Sequence, residues 1–232
     1  MAPPIVWPEG IFSARLIEKL AIEGMIATER PFDFDQVQPA SLDLRLGTVA
    51  YRVRASFLPG PGETVAHRVE ALKLHQISLV EGAVLERGCV YIVPLLESLD
   101  LPETVAAATN PKSSTGRLDV FTRVIVDHAR GFDTVPAGYS GPLYLEISPR
   151  TFPVLVRTGS RLSQMRFRTG HPRLSEAEHK ALHAEQTLVF DENLEVGEGV
   201  PLSIDLMGDG RDGLIGFRSG ELGAGSKVMG LS

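Results

Sequence analysis

Residues 110–146 read NPKSSTGRLDVFTRVIVDHARGFDTVPAGYSGPLYLE. The stretch opens with a cationic, hydroxyl-rich turn, Pro111-Lys112-Ser113-Ser114-Thr115-Gly116-Arg117, and closes on a strand-like run, Leu143-Tyr144-Leu145-Glu146-Ile147. Side chains alternate across a strand, so Leu143, Leu145 and Ile147 share one face while Tyr144 and Glu146 share the other. A carboxylate shielded from water has a raised pKa, which suits general acid–base work. From alternation alone, the plainer reading is a solvated Glu on an edge strand.

Outward from this centre, the chain is mostly short strands. In Gln38-Pro39-Ala40-Ser41-Leu42-Asp43-Leu44-Arg45-Leu46-Gly47, three leucines alternate with Asp43 and Arg45, which predicts a half-buried strand ending in a glycine turn. Asp43 and Arg45 fall on one face, to pair with each other or with neighbouring strands. Thr48 to Arg54 continues as strand, Leu58 to Gly62 is a loop, and Ala83 to Val93 reads as a strand pair broken at Arg87-Gly88. Pro153 to Val156 and Leu162 to Phe167 read as strands joined at Arg157 to Ser160. Many short strands with glycine and proline punctuation predict a mainly β sandwich, jelly roll or barrel.

Helices flank the strands. Ile11 to Ile26 is amphipathic, with Ser13 as a cap and Gly24 near its end. Ser175-Glu176-Ala177-Glu178 fits a capping box and predicts a helix through about His183. Gly197 to Gly216 is loop-rich apart from Leu202 to Met207, and Gly220 to Lys227 is rich in glycine. The organisation read from these signals has three parts: an N-terminal helical segment at 1–36, a central domain at 37–190, and a loop-rich segment at 191–232.

The 232 residues are 43% hydrophobic and 22% charged, enough apolar material for a core and too little charge for disorder. A net charge of −6 disfavours a nucleic-acid partner. It leaves room for a phosphate ligand, because Arg150, Arg157, Arg161, Arg166, Arg168 and Arg173 fall in a stretch without acids, and guanidinium forks suit phosphate. The single cysteine, Cys89, cannot form an intrachain disulfide; its apolar run predicts a buried, inert thiol and a reducing compartment. No signal-peptide pattern and no bilayer-length apolar run are present, so a cytoplasmic protein without a membrane partner is expected.

Several chemistries are disfavoured by missing parts. His183-Ala184-Glu185 matches half of a zinc deaminase signature, but one cysteine cannot supply the P-C-x-x-C half. His179 and His183 lie one helical turn apart on a polar face, where solvation is the plainer reading than metal binding. There is no G-x-S-x-G elbow, no P-loop and no dinucleotide fingerprint.

Taken in order, Lys112-Ser113-Ser114, Arg117-Leu118, Ala137-Gly138-Tyr139-Ser140-Gly141, Leu145-Glu146 and Gly159-Ser160-Arg161-Leu162-Ser163-Gln164, together with Pro39 to Gly47, resemble the dCTP deaminase branch of the dUTPase-like superfamily. The likeness covers roughly Gln38 to Phe167. The Ser-x-x-x-Arg-Leu arrangement and the following Leu-Glu separate this branch from the pyrophosphatases. The resemblance implies a distorted jelly roll in a homotrimer with sites at subunit interfaces. It also implies zinc-independent hydrolysis of dCTP to dUTP and ammonia, with Mg2+ accompanying the triphosphate.

Carried residue by residue, Glu146 resembles the acid–base group, and Ser113 and Arg117 resemble the groups positioning water, base and phosphates. Lys112, Ser114 and Gln164 resemble nucleotide contacts, Tyr139 the residue against the deoxyribose, and Asp133 the sugar-binding aspartate, with Asp127 as its rival. Three departures stand out: Lys112 where the family usually has Arg, Asp119 where Gly is typical, and extra residues around 127–133. The alternatives are a dUTP pyrophosphatase, a bifunctional enzyme forming dUMP, and a non-catalytic nucleotide-sensing trimer. The C-terminal segment reads as a lid, as a functionless end, or as the start of a missing second half.

Overall fold

Glycine, proline and tight turns cut the chain into short strands that pair almost entirely with partners distant in sequence. The computed structural model describes residues 5–189, 196–197 and 199–200. Its strands are β1 (Gly10–Ile11), β2 (Ile26–Thr28), β3 (Val37–Gln38), β4 (Ser41–Arg45), β5 (Val49–Val53), β6 (Lys73–Ser78), β7 (Ala83–Leu85), β8 (Val90–Asp100), β9 (Val105–Pro111), β10 (Val120–Val126), β11 (Thr134–Val135), β12 (Ser140–Pro149), β13 (Val154–Val156) and β14 (Arg161–Thr169). The helices are α1 (Ala14–Ile22), α2 (Val65–Leu72), α3 (Ser113–Arg117) and α4 (Glu176–Glu185).

Two antiparallel sheets carry the core. One runs β11-β9-β14-β4-β3 with β1 added to β14; the other runs β10-β12-β8-β5-β6 with β2 added to β8. Leu42, Leu44, Met165 and Phe167 from the first sheet meet Val93, Leu143, Leu145 and Ile147 from the second in one buried cluster. Each such side chain contributes about 1.5–3 kcal/mol when removed from water. The result is the mainly β sandwich that the strand spacing predicts. The N-terminal segment is built into it, since β1 and β2 each extend a sheet.

Four details differ from the sequence reading. The first helix spans Ala14–Ile22, not Ile11 to Ile26. It stops because Gly24 takes φ 78, which lets Gly24 N–H donate to Ala21 O and Met25 N–H to Leu20 O, closing the helix end. β4 is buried along both faces, not one. β7 pairs with β13, so neither predicted strand pair is a hairpin. Cys89 is only half-buried, because it sits in the turn before β8 with Sγ 3.7 Å from Glu86 Oε2.

The capping box is present in full, with Glu178 N–H donating to Ser175 Oγ and Ser175 N–H to Glu178 Oε2. Leu202 to Met207 and the glycine-rich end lie outside the described residues. Among the described residues no helix is long and apolar enough to cross a membrane.

Candidate active site

Glu146 sits on β12, which is a central strand between β10 and β8 and not an edge. Its residue exposure is 1%, so the solvated reading does not hold. The register places Arg123 of β10 directly across from it. Arg123 donates to Glu146 Oε1 from Nε at 3.1 Å and from Nη2 at 2.7 Å. Both bonds end on one oxygen. Glu146 Oε2 is buried and has no partner among the described residues.

Arg123 is fixed from other directions. Nη2 also donates to Ser56 Oγ at 2.7 Å. The guanidinium lies 3.5 Å from the Phe132 ring centroid and 4.9 Å from that of Phe121, a cation–π sandwich that favours a flat cation. Sequence reasoning missed Arg123. The available signal was one basic residue in the apolar run Val120-Phe121-Thr122-Arg123-Val124-Ile125-Val126, matching one acid in Leu143 to Ile147, since opposite charges pair across strands.

Asp133 joins this cluster. It adopts φ 59, a region that Asp tolerates better than most residues. Its Oδ1 accepts from Val124 N–H and Thr109 Oγ1, both at 2.8 Å, which ties β10 to β9. Burial raises the Asp133 carboxyl above its ordinary value, against the opposing effect of these hydrogen bonds and of Arg123. Asp127 serves elsewhere: its Oδ1 accepts from Val65 N–H at the start of α2, 2.7 Å away. A cavity of about 440 Å³ is lined by Asp133, Arg123, Thr122, Phe121, Gly116 and Arg150, among others.

A folded-state value raised above the ordinary one contributes stability below the ordinary value and loses it as pH rises through the folded value. Asp133→Asn removes that loss while keeping the Oδ1 acceptor and the tolerance of positive φ. The variant should therefore melt higher than the parent at pH 7, with the gap closing toward acid pH. Thermal unfolding at both ends of that range checks it, and an unchanging gap rejects the burial argument.

The turn bearing Ser113 and Arg117 is α3. It is held to β14 by Lys112 N–H and Thr115 Oγ1, which both donate to Leu162 O at 2.9 and 2.8 Å. Ser113, Ser114 and Arg117 are exposed, and among the described residues no side-chain hydrogen bond engages them. Neither Ser113 nor Arg117 is bonded to Glu146 within the chain. Asp119 takes φ 54, a region that Asp tolerates better than most residues, and accepts from Thr151 Oγ1.

Lys112 and Gln164 lie in a second cluster. The Lys112 ammonium pairs with Asp43, whose Oδ1 is buried without a partner among the described residues. Gln164 Oε1 accepts from Ser41 Oγ at 3.1 Å, and its register partners are Asp43 and Asn110. Of the arginine-rich stretch, Arg150 reaches the cavity, whereas Arg161 is paired with Asp33 and Asp35 at 2.8 and 2.7 Å. Tyr139 is buried and stands apart from Glu146. Its hydroxyl donates to Pro142 O at 2.6 Å and accepts from Asp127 N–H at 3.2 Å, and burial pushes its pKa up. A Cβ on Gly141 would lie 2.7 Å from that hydroxyl, so glycine is needed there. Tyr139 lines a different cavity, of about 800 Å³, with Asp127, His128 and Arg130.

Two antiparallel sheets, with the Arg123–Glu146 ion pair at the centre of one and a serine–arginine turn at the margin, give the chain its mainly β frame and its candidate site. The model of the family described as "2'-deoxycytidine 5'-triphosphate deaminase (DCD) N-terminal domain" matches residues 8–171, and the chain belongs to that family. A dCTP deaminase of Halorubrum lacusprofundi is 34% identical over 157 residues, covering 66% of this chain and 74% of that protein. A dCTP deaminase, dUMP-forming, of Methanobrevibacter smithii is 28% identical over 193 residues, covering 77% of this chain and 95% of that protein. The crystal structure of 2'-deoxycytidine 5'-triphosphate deaminase from Agrobacterium tumefaciens is 60% identical with a TM-score of 0.85 over 90% of this chain. The present chain spans 62% of the length of that solved chain.

Proposed function

We propose that the chain catalyses hydrolytic deamination of dCTP to dUTP and ammonia in pyrimidine deoxynucleotide metabolism. The observation that carries this reading is Glu146, buried on a central strand with one oxygen clamped by Arg123 and the other without a partner among the described residues. Attack of water at C4 needs a base to take a proton from water, then an acid to deliver protons to N3 and to the departing ammonia. One oriented carboxylate performs both in turn. Asp133 and Arg150 face the adjoining cavity, where hydroxyl and phosphate groups of a nucleotide find an acceptor and a cation. Among the described residues no three His, Cys, Asp or Glu side chains converge to hold a metal. Mg2+ is read as part of the substrate, coordinated chiefly by triphosphate oxygens.

Ser113 and Arg117 are exposed and unbonded to Glu146 in their own chain, which supports a homotrimer in which this turn completes a neighbour's site. A second reading, formation of dUMP, is favoured by the names of several relatives, the Methanobrevibacter smithii protein among them. One experiment separates these readings. Incubation with dCTP and Mg2+ should yield ammonia and dUTP by chromatography; dUMP with pyrophosphate would assign the second reading, and no ammonia would reject both. Mixed assemblies of Glu146→Gln and Arg117→Ala chains should recover roughly a quarter of parental activity by random pairing of intact halves. Absence of recovery in verified mixed oligomers rules out the shared site.

A further inference from the structure

We infer that Arg123 positions Glu146 for its chemistry, holding one carboxylate oxygen and leaving the other to share the attacking water with Ser148. The inference rests on the deaminase reading above and extends it to two residues outside the serine–arginine turn.

The argument begins with the pleat. Tyr144, Glu146 and Ser148 lie on one face of β12, opposite Ile125, Arg123 and Phe121 of β10. Glu146 Oε2 and Ser148 Oγ are both buried, and both lack a hydrogen-bond partner among the described residues. Buried polar atoms in native proteins rarely go unpaired, so two on one strand face, one repeat apart, mark a place built for a polar guest. Their Cα atoms are about 6.5–7 Å apart by strand geometry, and a water with its near-tetrahedral angle bridges oxygens about 4.5 Å apart, a gap that side chains leaning toward each other on one face can set. Such a water donates to Oε2 and accepts from the Ser148 hydroxyl, leaving a lone pair for carbon.

Arg123 explains why Oε2 is the free oxygen. Its two bonds to Oε1, its bond to Ser56 and the rings of Phe132 and Phe121 hold the guanidinium over that one oxygen. A carboxylate pinned by one oxygen keeps the other in a constant direction. Displacement by even about 1 Å costs on the order of 10²-fold in rate. A lysine keeps the charge but neither fork nor stacking plane.

The test measures ammonia release at saturating dCTP, dCTP affinity by calorimetry, and melting temperature. Arg123→Met should lower kcat by about 10²-fold with dCTP affinity little changed, and Arg123→Lys should restore only part of it. Ser148→Ala should lower kcat by roughly tenfold, and Ser148→Thr, which keeps the hydroxyl, should recover most of that loss. The decisive comparison is Glu146→Gln with and without Arg123→Met. If Arg123 acts through Glu146, the double variant is no slower than Glu146→Gln alone. That double variant also buries no unpaired charge, so it remains informative should Arg123→Met fail to fold. A double variant far slower than Glu146→Gln, or an Arg123→Met enzyme with parental kcat, overturns the inference while the deaminase reading survives. A parental enzyme that releases no ammonia overturns both.

Discussion

Glu146→Gln should lower kcat for dCTP deamination by about 10²–10⁴-fold, the usual contribution of a general base, while leaving the fold in place. The structural half of this expectation follows from the bonds. Gln is close in size to Glu, so the β12 face keeps its packing. Its carbonyl oxygen accepts from Arg123 Nε and Nη2 as Oε1 does now, at 3.1 and 2.7 Å. The amide nitrogen then occupies the position of Oε2, where among the described residues no donor is bonded in conflict with it. What is lost is the lone pair that accepts a proton from water. Arg123 loses its ionic partner but keeps Ser56 and two aromatic rings, so a modest fall in melting temperature is expected. Single-turnover ammonia release together with circular dichroism checks both halves. A folded Glu146→Gln protein that retains a tenth or more of the parental rate would remove this carboxylate from the mechanism.

The strands around this residue were legible because alternation survives in Leu143 to Ile147 and Ser41 to Gly47, and turns such as Arg87-Gly88 announce themselves. Burial was harder to read. A charged residue in an alternating run is ordinarily on the wet face. Here Asp43, Arg45 and Glu146 stand on strands enclosed on both sides, and their partners Lys112, Glu97 and Arg123 lie on other strands or turns far along the chain. No local pattern names those partners. Helix α2 was missed for a related reason: it passes into β6 at Leu72-Lys73 with no glycine or proline to mark the change. Ser113, Arg117, Lys112 and Gln164 were found by likeness to a family and not by physics, and the fold places them in two groups, neither bonded to Glu146. Arg123 and Ser148 gave weak signals because a lone Arg in one strand and a lone Ser in another gain meaning only once the register is known.

Glu97→Ala should produce the opposite outcome, a loss of about 3–5 kcal/mol in stability, with catalysis per folded molecule largely kept. Glu97 is as deeply buried as Glu146, with a residue exposure of 1%, yet both its oxygens are satisfied. Oε1 accepts from Arg45 Nε and Gln36 Nε2, and Oε2 accepts from the Arg45 backbone N–H, all at 2.8 Å. Arg45 in turn donates to Thr28 Oγ1, Arg30 O and Pro31 O at 2.7, 2.9 and 2.7 Å. This network joins β4 of one sheet to β8 of the other and draws in the chain after β2. Removing Glu97 leaves a buried guanidinium whose remaining acidic partner among the described residues is the half-exposed Asp33, at 3.4 Å. For a chain of this size each kcal/mol corresponds to about 2–4 °C, so the melting temperature should fall by on the order of 10 °C. Replacing both members, with Arg45→Met beside Glu97→Met, should cost less than the sum of the singles because no buried charge is left behind. Chemical denaturation of the four proteins measures the coupling. If Glu97→Ala costs under about 1 kcal/mol, full satisfaction does not mark a structural acid, and the contrast that singles out Glu146 by its free oxygen loses its force.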